Sequence, residues 1–488
     1  MDIKISNKIK DFKGALIVPV FKESLDNFAK KYPEEIRDFI DKRVKNDDFK
    51  AGLGKMLFTY FESKNLPEKI LLVGMGTLEN FEQTKARDIG GKIGKLIKNK
   101  KIGELTVLLF PEIEKYLEEL AEGILMSQYS FGQFGMREKP KLPNKIKSLT
   151  FIGNEKKGMK ESVKKAELIS ETVNYIRDLV NSPSNKVTAD YMVEEAHKIA
   201  KDNGYKIAVF GDKELKKMGW GGLLAVNQGS SKEAKVIVLE HDGGSRKERP
   251  IALIGKGILF DAGGYNLKPK DHIETMHQDM AGGAVLLGIF KILKKLNIKK
   301  NLVAVIPIAE NLIGGNAYRP SDIIKTLSGL TVEITNTDAE GRLILGDGVT
   351  YALQFNPQSI ITIATLTGAV MIALGDRYAG LMGNDKELVN AVKLAGDEVD
   401  DLGWEMPLHR DFRKKIDSEI ADLKNADLGT SRLAGAQKGA LFIERFVEDK
   451  KWCHIDIAST AFTHEPKDYE EKGATGAGLR MLVRFLEK

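Results

Sequence analysis

The sequence predicts an α/β protein of two domains, a smaller N-terminal α/β domain and a larger C-terminal α/β domain with a mostly parallel central sheet. A chain of 488 residues is too long for one hydrophobic core. Short apolar runs alternate with amphipathic helical stretches along the chain, which is the pattern of an α/β fold. Hydrophobic residues make up 42% and charged residues 30%, a balance typical of globular proteins.

Residues 1–150 already show this alternation. The predicted strands are Ala15–Val20, Ile70–Val73 and Leu105–Phe110. The predicted helices are Lys85–Ile97 and Ile113–Met126. The segment also holds 28 Lys and Arg against 22 Asp and Glu, so it carries the whole net charge of +6. Because a basic segment can contact nucleic acid, an alternative function is that of a nucleic-acid-binding regulator. Because the lysines are interleaved with acids rather than clustered, a solvated face is favoured, and nucleic acid is not an expected partner.

A long helical pattern from Lys156 to Asn181 links the halves of the chain, and Pro183 follows its end. We therefore predict an N-terminal domain at 1–150, a linking helix at 151–182 and the larger domain at 183–488. Strands alternating with helices favour parallel pairing in that domain. Its predicted elements are helix Ala189–Asn203, strands Lys206–Phe210, Ala234–Leu239 and Ile251–Ile254, a helix from near Asp279, strands Leu302–Ile306 and Thr331–Ile334, a helix after Arg342, and strand Ser359–Ala364.

No segment is expected to span a membrane or direct export. The uncharged run Ser359–Gly375 is short for a span and predicts a buried strand followed by a loop and a helix. Acidic residues lie on both sides of the apolar run Ala15–Val20, unlike a signal peptide. The single cysteine, Cys453, excludes an internal disulfide and suits a reducing compartment. The sequence therefore predicts a cytoplasmic protein.

Two polar, glycine-containing stretches follow predicted strands. The first extends from Gly255 to Asp279 and the second from Asn336 to Leu343. Ligands bind beyond the carboxyl ends of the strands in such sheets, so the two stretches are expected to converge. Their charged residues are Lys256, Asp261, Lys268 and Asp279, and Asp338, Glu340 and Arg342.

Convergence would bring four carboxylates into one pocket. Two carboxylates about 4 Å apart repel by roughly 4 kcal/mol at an effective dielectric near 20. Such a cluster must take up protons or bind cations, and two divalent ions would balance its charge. The lysines and the arginine are then free to bind an oxyanion or an anionic helper. This composition points to a hydrolase that activates water and polarises a carbonyl group.

The second stretch, Asn-Thr-Asp-Ala-Glu-Gly-Arg-Leu, resembles the signature of the leucyl aminopeptidase family, the M17 metallopeptidases. The charged residues of the first stretch also lie at the spacing that this family shows. Other segments that resemble family blocks are Val173–Pro183, Leu224–Ser230, Gly315–Pro320, Ala364–Gly368, His454–Ala458 and Gly473–Gly476. The likeness covers Val173 to the C-terminus, and it implies that the N-terminal domain is macrodomain-like.

The resemblance implies an aminopeptidase with two metal ions. One ion would be held by Asp261, Asp338 and Glu340, and the other by Lys256, Asp261, Asp279 and Glu340. A neutral lysine nitrogen among oxygens favours Mn²⁺ or Zn²⁺, with Co²⁺ as a further alternative, over Mg²⁺ or Ca²⁺. A metal-activated water would hydrolyse the first peptide bond and release Leu-like and other apolar N-terminal residues.

The family also implies roles for the remaining cations. Lys268 would stabilise the oxyanion, and Arg342 would hold a bicarbonate that serves as general base. A non-catalytic relative is disfavoured because none of the seven charged site positions is lost. Peptide substrates and a homo-hexamer are the implied partners. The implied substrate-binding residues are Met276, Thr365, Leu366, Gly368 and Ala458.

Overall fold

The computed structural model describes residues 1–7, 14–24, 39, 42–43, 49–61, 68–132, 145–153, 157–427 and 433–488. Within these residues the chain forms two compact units, and both are α/β, as predicted. Unit 1 comprises Met1–Glu171 and Pro466–Glu471, and unit 2 comprises Thr172–Glu465 and Lys472–Lys488. No helix in the described part of the chain has the length and apolar character needed to cross a membrane.

Unit 1 is built on a mixed sheet. Its strands are β1 (Asp2–Ser6), β2 (Ala15–Phe21), β3 (Met56–Tyr60), β4 (Lys69–Gly76), β5 (Glu104–Leu108) and β6 (Ser148–Ile152). They lie in the order β1-β6-β5-β2-β4-β3, and all neighbouring pairs are parallel except β3 and β4. The helices are α1 (Gln83–Asn99), α2 (Pro111–Glu114), α3 (Leu117–Met126) and the first part of α4 (Met159–Asn181).

The helix predicted over Ile113–Met126 is divided into α2 and α3. The backbone of Tyr116 leaves helical geometry between them, with φ −111° and ψ 19°. Its hydroxyl donates a hydrogen bond of 2.7 Å to the carbonyl of Phe81, and the two rings meet edge to face. A tertiary contact of this kind overrides the local helical pattern, which explains why the apolar periodicity did not reveal the break.

Residues Pro466–Glu471 pack within unit 1, although the predicted boundaries assign all of 183–488 to the larger domain. Lys95 Nζ on α1 donates to the carbonyl of Glu470 at 2.9 Å and also to that of Lys467. Tyr469 is buried, and a Cβ on Gly91 would lie only 2.7 Å from its backbone nitrogen. The backbone of the segment is therefore one of the groups that α1 contacts, and contacts to backbone leave little signal in the sequence pattern.

Unit 2 contains a long sheet whose central strands are parallel. The strands of the unit are β7 (Lys206–Phe210), β8 (Lys235–Asp242), β9 (Ile251–Gly255), β10 (Gly257–Asp261), β11 (Asn301–Asn311), β12 (Ile323–Lys325), β13 (Thr331–Glu333), β14 (Ser359–Ala364), β15 (Ala379–Gly383), β16 (Gly403–Glu405), β17 (Leu423–Lys424), β18 (Lys451–Asp456), β19 (Phe462–Thr463) and β20 (Gly473–Ala474). The sheet order is β16-β15-β18-β14-β9-β11-β8-β7, with β10 beside β11. Strands β18, β14, β9 and β11 are parallel, and the pairs β15–β18, β11–β8 and β8–β7 are antiparallel.

The remaining helices belong to unit 2 as well. They are α5 (Ala189–Asn203), α6 (Asp212–Met218), α7 (Gly221–Asn227), α8 (Lys270–Ile273), α9 (Ala281–Ile292), α10 (Gly341–Ala352), α11 (Gly368–Leu374), α12 (Lys386–Val399), α13 (Arg410–Arg413), α14 (Gly435–Glu444) and α15 (Leu479–Glu487). Strand β14 and helix α5 have the predicted bounds, and Ser359–Gly375 is a strand followed by a loop and a helix, as predicted.

Three boundaries near the polar stretches differ from the predictions. The helix predicted after Arg342 is present as α10, but it begins two residues earlier, at Gly341, so Arg342 lies in its first turn. Strand β11 continues from Ile306 to Asn311, because its polar end pairs with β10. Asp261 is the last residue of that short strand β10 rather than a loop residue.

Candidate active site

Two sheets of unit 2 bring the polar stretches together. The first stretch follows β9 and β10 of the long sheet, and the second follows β13 of a separate three-stranded sheet with the order β12-β13-β17. Lys256 lies between β9 and β10, and Asp261 ends β10. Asp279 precedes α9, and Asp338 and Glu340 precede α10. Oxygens of Asp261, Asp338 and Glu340 all lie within 4.8 Å of one another. The predicted convergence of the carboxylates is therefore present.

Lys256 lies between two of the carboxylates. Its Nζ is 2.8 Å from Asp279 Oδ2 and 2.8 Å from Glu340 Oε1, and it donates to the carbonyl of Thr365 at 3.0 Å. The lysine is buried, and a Cβ on Gly341 would lie 2.7 Å from its Nζ. The glycine of the second stretch thus leaves the space in which the lysine reaches both acids.

Lys268 lies between the other two carboxylates. Its Nζ is 2.8 Å from Asp261 Oδ2 and 2.6 Å from Asp338 Oδ1. The side chain of Lys268 is 15% exposed against 2% for that of Lys256, so only Lys268 has direct access to solvent. The two lysines therefore occupy distinct environments within one cluster.

The pKa values reflect a crowded, buried cluster. Burial and the neighbouring Asp261 raise the pKa of Asp338 to about 7, and burial raises the pKa of Asp279 well above its usual value. Burial opposes the charged form of Lys268, but Asp261 and the other carboxylates raise its pKa. The chain thus balances its carboxylates with ammonium groups and protons, which divalent cations can replace.

The donor set fits divalent cations. Glu340 Oε2 is buried and accepts no hydrogen bond from any residue that the structure describes. A buried acceptor of this kind is costly unless it has a partner. Clustered carboxylate oxygens with one amine nitrogen are suitable ligands for Mn²⁺ or Zn²⁺. The assignment of single residues to single ions stays a prediction.

Two buried polar residues, whose role was not predicted from the sequence, fix Asp261 and the Thr337 backbone. Asn311, at the end of β11, donates from Nδ2 to Asp261 Oδ1 at 2.8 Å and to the carbonyl of Thr337 at 3.0 Å. The hydroxyl of Tyr318 donates to the same carbonyl at 2.7 Å. The available signals were the polar Glu310-Asn311 pair at the end of an apolar strand and, for Tyr318, its place in the block Gly315–Pro320.

Arg342 lies in the first turn of α10, close in sequence to Glu340. Its Nη1 donates to the carbonyl of Asn425 at 2.7 Å. Its Nε is buried and has no hydrogen-bond partner among the described residues. Arg342 therefore retains a donor for an anion, which is the role implied for it.

Four of the five predicted substrate-binding residues have hydrogen bonds to two buried aspartates. The hydroxyl of Thr365 donates to Asp279 at 2.7 Å, and the carbonyl of Met276 accepts from the Asp279 amide at 3.3 Å. The amides of Leu366 and Ala458 donate to Asp456 at 3.0 and 3.2 Å. Gly368 is the exposed first residue of α11. Their contact with substrate stays a prediction.

Comparisons with known proteins agree with this geometry. The catalytic-domain profile of the cytosol aminopeptidase family (M17) matches residues 174–483, and the profile of its N-terminal domain matches residues 17–137. The probable cytosol aminopeptidase of Geobacter sp. (strain M21) is 34% identical, covering 100% of this chain and 99% of that protein. The cytosol aminopeptidase of Rickettsia prowazekii is also 34% identical, with coverage of 100% and 99%.

Solved structures extend the similarity to the fold. The bottromycin maturation enzyme BotP matches with a TM-score of 0.84 at 24% identity, covering 97% of this chain and 98% of that chain. A structure of BotP in complex with Mn matches with the same TM-score and coverage at 25% identity. Both units are included in this coverage.

Proposed function

Because the chain belongs to the cytosol aminopeptidase (M17) family of metal-dependent aminopeptidases, we propose that it removes Leu-like and other apolar residues from the N-termini of peptides with two divalent ions. The observation that supports the proposal most directly is the cluster of Asp261, Asp338 and Glu340, with Asp279 and Lys256 adjoining it. These five residues would hold the ions. When bound, the ions acidify a water and polarise the peptide carbonyl.

The cations of the chain have separate tasks in this proposal. Lys268 stays protonated, because Asp261 raises its pKa against the effect of burial. Its partial exposure lets it donate to the oxyanion that develops on the substrate carbonyl. Arg342 would hold a bicarbonate through its free Nε, and the bicarbonate would supply a general base.

The metal and the substrate are the finer parts of the proposal. Mn²⁺ is supported by the donor set and by the Mn complex of BotP, and Zn²⁺ is the alternative. The residues Met276, Thr365, Gly368 and Ala458 would form an apolar S1 pocket. A free α-amino group would be required, because an amide nitrogen is a poor metal ligand.

Paired substrates test the proposal. Leucyl peptides with free and with acetylated N-termini are compared with the metal-loaded enzyme, together with a panel of aminoacyl amides. We expect cleavage of the free peptides alone, and faster hydrolysis of Leu and Met amides than of Asp or Glu amides. Comparable rates on blocked and free peptides would refute exopeptidase action, and a flat amide panel would refute the apolar preference.

A further inference from the structure

Asp456 is a buried carboxylate to which the proposed chemistry assigns no role. It ends β18, is fully buried, and belongs to the block His454–Ala458. Its Oδ1 accepts hydrogen bonds from the amides of Leu366 at 3.0 Å, Thr367 at 3.4 Å and Ala458 at 3.2 Å. Its Oδ2 accepts one from the Thr367 hydroxyl at 2.7 Å. One side chain therefore satisfies four donors.

These donors belong to two different loops. Strands β14 and β18 are parallel neighbours, and Ala364 pairs with Asp456 at their ends. The loop after β14 contains Thr365 and Leu366, and the loop after β18 contains Ala458. The amide of Ile457 donates to the carbonyl of Ala364 at 2.8 Å, and the amides of Leu366 and Thr367 donate across to the Asp456 carboxylate.

We infer that Asp456 is a positioning residue that sets the shape of the S1 pocket by fixing the β14 loop against the β18 loop. The inference rests on the proposed function, because it assigns these loops to the substrate side chain. Asp456 need not touch the substrate. It holds Leu366 and Ala458 at a fixed separation, and this separation decides how well a bulky side chain is aligned for cleavage.

The role is geometric rather than electrostatic, and Asp456→Asn separates the two. An asparagine carbonyl can accept the three backbone amides that now reach Oδ1. Its amide can donate to the Thr367 hydroxyl, which already accepts from the amide of Val370 at 3.3 Å. Asp456→Asn therefore keeps the three amide contacts and reverses the direction of the fourth, while removing the charge. Asp456→Ala removes both the contacts and the charge.

The test is the ratio of kcat/KM for leucyl and alanyl amides, measured together with bound metal. We expect Asp456→Ala to lower the Leu-to-Ala ratio about tenfold or more while both metal equivalents remain. Asp456→Asn should stay within about threefold of the wild-type ratio. A general loss of stability would lower both rates together and leave the ratio unchanged, so the ratio reports on the pocket.

A second pair of variants covers the case in which Asp456→Ala does not fold. Thr367→Val removes the hydroxyl contact to Asp456, and with it the acceptor for the Val370 amide, at nearly constant volume, whereas Thr367→Ser keeps both. Thr367→Val should lower the ratio and Thr367→Ser should preserve it.

An unchanged ratio in folded Asp456→Ala, or in Thr367→Val if the former is insoluble, overturns the inference. If Asp456→Asn lowers the Leu-to-Ala ratio as much as Asp456→Ala does, the geometric role is overturned. A wild-type enzyme inactive on both amides overturns the proposed function itself.

Discussion

Lys256 and Lys268 have the same side chain but different surroundings, and the two are expected to respond differently to the same substitution. Lys256 is buried against Asp279 and Glu340, and a metal ligand must be neutral, whereas arginine keeps its proton. We predict that Lys256→Arg loses most of one metal equivalent together with activity. Lys268→Arg should keep both metals and lower kcat by about 10²–10³, as removal of an oxyanion donor does.

Metal counting on the purified variants distinguishes these outcomes. The wild-type protein, loaded in parallel, gives the reference stoichiometry. Two ions in Lys256→Arg, or one ion in Lys268→Arg, would show that the two roles are assigned wrongly.

Asp347 on α10 gives a prediction about pH that is independent of the metal cluster. Its two carboxylate oxygens accept from the amides of Leu223 at 2.9 Å and Leu327 at 2.8 Å, and burial raises its pKa to about 7. Its pKa in the unfolded chain is near 3.9. The folded state therefore binds the proton more tightly, so this contribution to stability is complete below about pH 4 and is lost as the pH rises through 7.

We predict that wild-type protein loses roughly 1–3 kcal/mol more unfolding free energy than Asp347→Asn between pH 5 and pH 8. Denaturant unfolding of both proteins at the two pH values measures this difference, and titration of all other groups cancels in it. Asp347→Asn should be less stable overall, because its amide faces a backbone donor. If the unfolding free energy changes equally in the two proteins between pH 5 and pH 8, Asp347 is ionised at both pH values.

At the scale of secondary structure, the approach of α9 to the sheet controls the position of Lys256. A Cβ on Gly282 would lie 2.2 Å from the carbonyl of Ile363 and 2.9 Å from the amide of Lys256. The amide of Gly283 also donates to the Lys256 carbonyl at 2.8 Å. We predict that Gly282→Ala displaces the start of α9, costs about 1–3 kcal/mol of stability and weakens metal binding.

The matched control is Gly315→Ala, where no atom lies within 4 Å of the added methyl group and φ is not positive. Thermal unfolding and metal titration of both variants are the measurements. If Gly282→Ala is as stable as Gly315→Ala and binds metal as tightly, the close approach of α9 to the sheet is not required for the metal site.

Elements with a strong local pattern were predicted, and elements defined by their partners were not. Ser359–Ala364 is a mostly apolar run, and the helix Ala189–Asn203 is preceded by the capping residue Thr188. The predicted bounds of both elements agree with the structure. Strand β17 has only two residues, Leu423–Lys424, and exists through its pairing with β13. Asn311 was missed for the same reason, since its importance comes from Asp261 and Thr337 across the fold.

The charged residues of the site were easier to predict than their supports. Burying carboxylates and lysines costs free energy unless they are paired in a shared site. Their presence directly after predicted buried strands therefore indicates a functional site. An amide such as Asn311 or a buried acid such as Asp456 has no such signal on its own, because its role is defined by the backbone donors it meets. The homo-hexamer, the cytoplasmic location and the identity of the metals stay predictions.

At the scale of the whole chain, unit 1 includes the late segment Pro466–Glu471. Lys95 donates to the backbone of this segment, whereas Lys92 only approaches the half-buried Asp468 at 3.5 Å. We predict that Lys95→Ala opens the segment and accelerates tryptic cleavage after Lys467 several-fold. Lys92→Ala is the control and should change the rate little, because an exposed ion pair contributes at most about 1 kcal/mol. Equal cleavage rates in both variants would contradict an anchoring role of Lys95.

The dependence of peptide hydrolysis on metal tests the proposed function most directly. Protein stripped of metal with a chelator and then freed of the chelator is assayed on a leucyl peptide before and after addition of Mn²⁺ or Zn²⁺, with Glu340→Gln treated in parallel. The carboxylate cluster predicts no hydrolysis by stripped protein, recovery of the wild-type enzyme on adding either ion, and little recovery of Glu340→Gln. Full activity in thoroughly metal-free wild-type protein would contradict the proposed mechanism.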